Sequence, residues 1–83
     1  MRILYFAWLR SRVGVAAEAV EPPPDVTTVQ RLLDWLATRS PGHAAALADR
    51  RVFRVAVNQD YVKPDAAVKP GDEVAIFPPV TGG

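Results

Sequence analysis

Eighty-three residues make one small domain, which leaves no room for separate catalytic and regulatory lobes. A chain that is 49% hydrophobic and 23% charged is too apolar for a disordered tail. It has no cysteine and one histidine, His43, which excludes disulfides, thiolate nucleophiles, cysteine-ligated metals and any histidine cluster. Ten basic residues against nine acidic ones leave a net charge of +1, too weak a field to argue for nucleic acid or an anionic membrane as partner. No apolar run approaches the ~18 residues that would span a bilayer, and the first residues lack the small-residue cleavage site of a secretory signal. A cytoplasmic protein is expected.

Arg2 to Leu9 is a continuous apolar run rich in aromatic and β-branched residues, and its length predicts a central strand. After a turn around Gly14, Ala16 to Glu21 alternates weakly and stops at Pro22-Pro23-Pro24, predicting a second strand paired in a hairpin. Val29, Leu32, Leu33, Leu36 and Ala37 form one stripe of an amphipathic helix. Thr27 and Gln30 fit a capping box at its start, and Ser40-Pro41-Gly42 is read as its end. His43 to Arg51 fits either a short second helix or a loop. Val52 to Val57 returns to strand character and breaks at Asn58-Gln59-Asp60, after which Tyr61-Val62 can pair back. Lys69-Pro70-Gly71-Asp72 predicts a turn, and Glu73 to Phe77 a last strand closed by Pro78-Pro79. This order predicts an α+β roll, a mixed sheet wrapped around one main helix.

Conventional sites are missing from this pattern. None of the five glycines stands in a GxxxxGK or GxGxxG spacing, so the chain has no phosphate loop for ATP. His43 beside a turn reads as solvent-exposed, because a general base needs an orienting partner. Asp72 and Glu73 are adjacent, and consecutive strand residues face opposite ways, so they read as turn residues rather than an acid-base pair. Arg10, Arg12, Arg50, Arg51 and Arg54 offer a patch for an acidic partner, but Asp49 and the flat net charge favour a solvated face. Trp8 and Trp35 read as packing residues, with a partner role for Trp8 only if the first strand shows one face to solvent.

The remaining feature is Phe77-Pro78-Pro79-Val80-Thr81-Gly82-Gly83. Prolines stiffen the exit from the last strand, and two residues without a Cβ make a thin tip able to enter a narrow channel. This places the α-carboxylate of Gly83 within reach of another protein's active site.

Together with Ile3-Leu4-Tyr5-Phe6-Ala7, Leu9-Arg10, Arg54 to Val62 and Gly71 to Ala75, this segment resembles the MoaD sulfur carriers, the small subunits of molybdopterin synthase. The resemblance spans nearly the whole chain. The FPPVTGG block is its specific part, whereas GDEVA is shared by many ubiquitin-like carriers, including that of the thiamine pathway. Trp8 and the Pro22-Pro23-Pro24 run depart from the family pattern.

The resemblance implies a β-grasp, ubiquitin-like domain over residues 1–77 and an extended tail over 78–83. It implies that an E1-like, MoeB-type enzyme adenylates Gly83 with ATP, that a sulfur donor converts it to a thiocarboxylate, and that the tail delivers sulfur inside a large, MoaE-type synthase subunit. There, cyclic pyranopterin monophosphate becomes molybdopterin. Gly82 then gives clearance, and Phe77, Pro78, Pro79 and Val80 aim the tail and dock it. The chain itself needs no cofactor, metal or catalytic base. The competing readings are a carrier for another pathway, such as thiamine, and a ubiquitin-like interaction module with an inert tail.

Overall fold

A computed structural model describes residues 1–79. Its five strands form one mixed sheet in the order β2-β1-β5-β3-β4. Strand β1 (Arg2–Tyr5) pairs antiparallel with β2 (Ala17–Ala19) and parallel with β5 (Glu73–Phe77), and β3 (Arg54–Val57) runs antiparallel to both β5 and β4 (Asp60–Val62). The mixed sheet packed on a main helix is the expected α+β roll, and β5 follows the sequence reading residue for residue.

The first strand is shorter than the apolar run predicts. Ala7 adopts φ 56°, a conformation that ends the extended chain, and α1 (Trp8–Val13) follows at once. Trp8 and Leu9 therefore belong to a helix, and the turn expected at Gly14 is the helix end. There Gly14 takes φ 100°, and its N–H donates to the Arg10 carbonyl. β2 still pairs back on β1, so the hairpin's two strands are present with a helix between them.

Helix α2 (Val29–Leu36) turns Val29, Leu32, Leu33 and Leu36 into the core, the stripe predicted from the sequence. Each buried aliphatic side chain contributes about 1.5–3 kcal/mol. The N-cap is Thr28, one residue later than expected, with its hydroxyl accepting the Arg31 N–H. Ser40 also differs from the reading: it starts α3 (Pro41–Ala46), its hydroxyl accepting the His43 N–H, with Pro41 in the first turn. α2 has already ended at Leu36, four residues earlier.

Alternation along the strands sorts the sheet into two faces. Ile3, Tyr5, Val74, Ile76 and Val55 face the helices and are buried. Leu4, Ala75, Ala56 and Tyr61 share one register row on the outer face. The turn between β3 and β4 puts Asn58 and Gln59 at φ 50° and 73°, the geometry whose twist suits a tight hairpin.

Candidate functional site

β5 lies in the middle of the sheet, hydrogen-bonded to β1 on one side and β3 on the other. The chain beyond Phe77 therefore leaves from the centre of an ordered platform. Phe77, Pro78 and Pro79 are half-buried. Val80, Gly82 and Gly83, the other residues expected to act in the tail, lie outside the described residues.

Around this exit the outer face is aromatic. The Tyr61 ring stands 5.2 Å from that of Phe77, tilted at 40°. Tyr61 is 74% exposed and Phe6 49%, although both could have been buried at a gain. Phe6 is fixed beside β5 because its N–H donates to the Ile76 carbonyl at 3.1 Å. Sequence reasoning found Phe77 and missed Phe6 and Tyr61. The signal was available in the two-residue period of the last strands, which puts Tyr61 in register with Ala56 and Ala75.

His43 is buried, with only 7% exposure, which overturns its assignment to solvent. Its Nδ1 lies 2.7 Å from the Ser40 hydroxyl, and its Nε2 lies 2.7 Å from Glu18 Oε2. The same carboxylate oxygen accepts the Tyr5 hydroxyl at 2.7 Å, and Arg39 stands 3.6 Å from the other. Burial alone would raise the Glu18 pKa, but hydrogen bonds from His43 and Tyr5 and the nearby charges of His43 and Arg39 bring it below the ordinary value. Burial, with the adjacent carboxylate, pushes the Tyr5 phenol upward. Ser40, His43 and Glu18 follow one another like a nucleophile, base and acid. The Ser40 hydroxyl is occupied capping α3, so the cluster ties β2 to the helices.

Asp72 and Glu73 are not an acid-base pair. Asp72 is buried and accepts hydrogen bonds from the Asn58 amide and the Lys69 N–H. Burial acts to raise its pKa, and those bonds together with the Lys69 and N-terminal charges lower it further than that. Glu73 begins β5, and its own N–H donates to Asn58 Oδ1. Four of the five arginines are engaged separately rather than as one patch: Arg50 pairs with Asp34, Arg51 with Asp49, Arg54 donates to the carbonyls of Arg51 and Phe53, and Arg12 lies over Trp8. Among the described residues, no group of three His, Asp or Glu side chains gathers as a metal-binding set, and no helix is long and apolar enough to cross a membrane.

This sheet topology and helix packing define a β-grasp protein of the ubiquitin-like class. A model described as the ThiS family matches residues 3–83, and the chain belongs to that family. It is 43% identical to the molybdopterin synthase sulfur carrier subunit of Escherichia coli (strain K12) over 83 residues, covering all of this chain and 99% of the relative. The Homo sapiens molybdopterin synthase sulfur carrier subunit is 37% identical over 87 residues, covering all of this chain and 93% of that one. Among solved structures, the putative molybdopterin converting factor subunit 1 from Pyrococcus furiosus superposes with a TM-score of 0.79 at 32% identity, covering 95% of each chain.

Proposed function

We propose that this protein is the sulfur carrier of molybdenum cofactor biosynthesis, with Gly83 as the sulfur-bearing residue. The observation that carries the reading is the placement of β5. Its last residue ends the central strand beside exposed Phe6 and Tyr61, and the next residues are Pro78-Pro79 followed in sequence by Val80-Thr81-Gly82-Gly83. The family membership favours this reading over an inert interaction module, and the names of the relatives favour it over a carrier for another pathway.

The chemistry follows from the weakness of a carboxylate as an acyl donor. An E1-like, MoeB-type enzyme joins the Gly83 carboxylate to AMP, with pyrophosphate leaving from ATP. The mixed anhydride then has a good leaving group, and sulfur from a donor displaces AMP to give the thiocarboxylate. That anion is polarisable and nucleophilic. Delivered into a large, MoaE-type subunit, its sulfur bonds to cyclic pyranopterin monophosphate, water cleaves the acyl–sulfur bond to return the Gly83 carboxylate, and two such deliveries complete the dithiolene of molybdopterin. The carrier's own residues do the positioning: residues 1–77 act as a folded handle and 78–83 as its tail. Phe77, Pro78, Pro79 and Val80 aim and dock that tail, and Gly82 leaves it thin enough to enter a channel. Nucleotide and catalytic groups belong to the partners in the cytoplasm, so the carrier binds no cofactor of its own.

Intact-mass measurement after incubation with the activating enzyme, ATP and a sulfur donor tests the reading. The expected result is the exchange of one oxygen for sulfur, lost on deletion of Gly83 while the fold is kept. An unchanged mass in the full-length protein overturns it. Co-purification with the large synthase subunit, rather than a thiamine-pathway enzyme, distinguishes the pathway.

A further inference from the structure

Helices α1 and α3 enclose a groove of about 390 Å³, lined by Trp8, Arg12, Ala45, Ala46, Ala48 and Val52 together with Asp49. Its floor is apolar and incompletely covered: Val52 is 41% exposed, and Trp8 is half-buried. Ala45 and Ala48 are exposed and small, so they leave space rather than fill it.

Beside the groove the two helices meet backbone to backbone, with no space for a Cβ on Gly42 against the Arg12 carbonyl oxygen. The charge the groove leaves unmatched is positive. Asp49 is already matched by Arg51, which bonds it through two side-chain nitrogens and its own N–H. Arg39, Arg50 and Arg51 each meet a carboxylate, whereas Arg12 meets none within ion-pair distance among the described residues and lies with its guanidinium 5.4 Å from the Trp8 ring centroid. That contact holds the cation over the apolar floor without neutralising it.

The groove also adjoins the tail exit. α1 begins two residues after Phe6, whose N–H is bonded to the carbonyl of the residue before Phe77. We propose that the Trp8–Arg12–Val52 groove is a second docking surface, and that it receives an acidic segment of the large synthase subunit, an aliphatic side chain lying on Val52 and Trp8 and a carboxylate pairing with Arg12. The proposal rests on the sulfur-carrier reading and adds a contact outside the tail and the outer sheet face. An unmatched cation beside exposed apolar surface selects a partner of opposite charge and raises the rate of encounter.

The test measures association and dissociation of the purified large subunit with wild-type carrier, Arg12→Glu and Val52→Asp at low and high salt, each variant first checked for a wild-type circular dichroism spectrum and melting curve. Arg12→Glu is expected to slow association about tenfold at low salt, with the difference shrinking at high salt. Val52→Asp is expected to raise the dissociation rate about tenfold. Should Val52→Asp fail to fold, Arg12→Glu, an exposed change, decides alone. Wild-type rates and an unchanged salt slope in Arg12→Glu overturn the groove while leaving the sulfur-carrier reading intact. Absence of binding by the wild-type protein, by contrast, removes that reading and the groove with it.

Discussion

The two faces of the sheet treat large side chains in opposite ways. On the helix side, Tyr5 and His43 are buried, their polar atoms satisfied by Glu18 and Ser40, and no buried side-chain nitrogen or oxygen among the described residues lacks a partner. On the outer side, Tyr61 and Phe6 stand beside Phe77 with much of their surface left to water. A small domain that completes one face with this care and leaves the other open is using its apolar residues for two purposes. One set holds the fold, and the other is available to a partner.

Substitutions on each side should separate these purposes. Leu32→Ala, at a fully buried position of α2, is expected to cost about 3 kcal/mol in chemical denaturation, enough to unfold a domain of this size at moderate temperature. Gly42→Ala forces a methyl group against the Arg12 carbonyl and should cost about 2 kcal/mol, seen as a lower denaturation midpoint with an unchanged slope. Tyr61→Asp on the open face should leave the melting temperature almost unchanged and weaken binding of the large subunit about tenfold or more, measured by calorimetry. Comparable loss of stability from Tyr61→Asp and Leu32→Ala would erase the distinction between the faces.

The smallest effect concerns pH. Glu18 and Asp72 are both held below their ordinary values of 4.5 and 3.8, so the unfolded chain takes up their protons more readily than the folded one. Their contribution to stability is complete above those ordinary values and is lost as pH falls through the lower, folded ones. Glu18→Gln should therefore cost about 1 kcal/mol near neutrality and make the acid end of the stability curve shallower. A curve that keeps its full acid slope would place the titration elsewhere.

How far the sequence revealed these features depended on the range of the interactions involved. β5 was legible to the residue because local signals bracket it, Pro70-Gly71 on one side and Pro78-Pro79 on the other. The stripe of α2 was legible because its period is intrinsic to the segment. Trp8 and Leu9 were misassigned because they continue an apolar run, and the interruption comes from the backbone of Ala7, whose side chain gives no warning. Ser40-Pro41-Gly42 carries the chemistry of a helix end and of a helix start alike, and only the position of α2's last turn decides between them. His43 was misplaced for another reason: its partner Glu18 lies 25 residues away, on a strand whose register brings it to the helix side. In the candidate site, Phe77, Pro78 and Pro79 were found from a contiguous motif, whereas Phe6 and Tyr61 join them only through strand pairing.

The central position of β5 has a mechanical consequence. Traction on the chain beyond Pro79, as when a carrier is withdrawn from an enzyme that has gripped it, pulls β5 along its own axis. The hydrogen bonds to β1 and β3 lie across that axis on both sides, so they are loaded together in shear instead of being opened one at a time like a zipper. An edge strand in the same role would have half this support and could peel away. The sheet order thus lets the molecule bear a pull at one end without surrendering its core, which suits a part that must be inserted, released and used again.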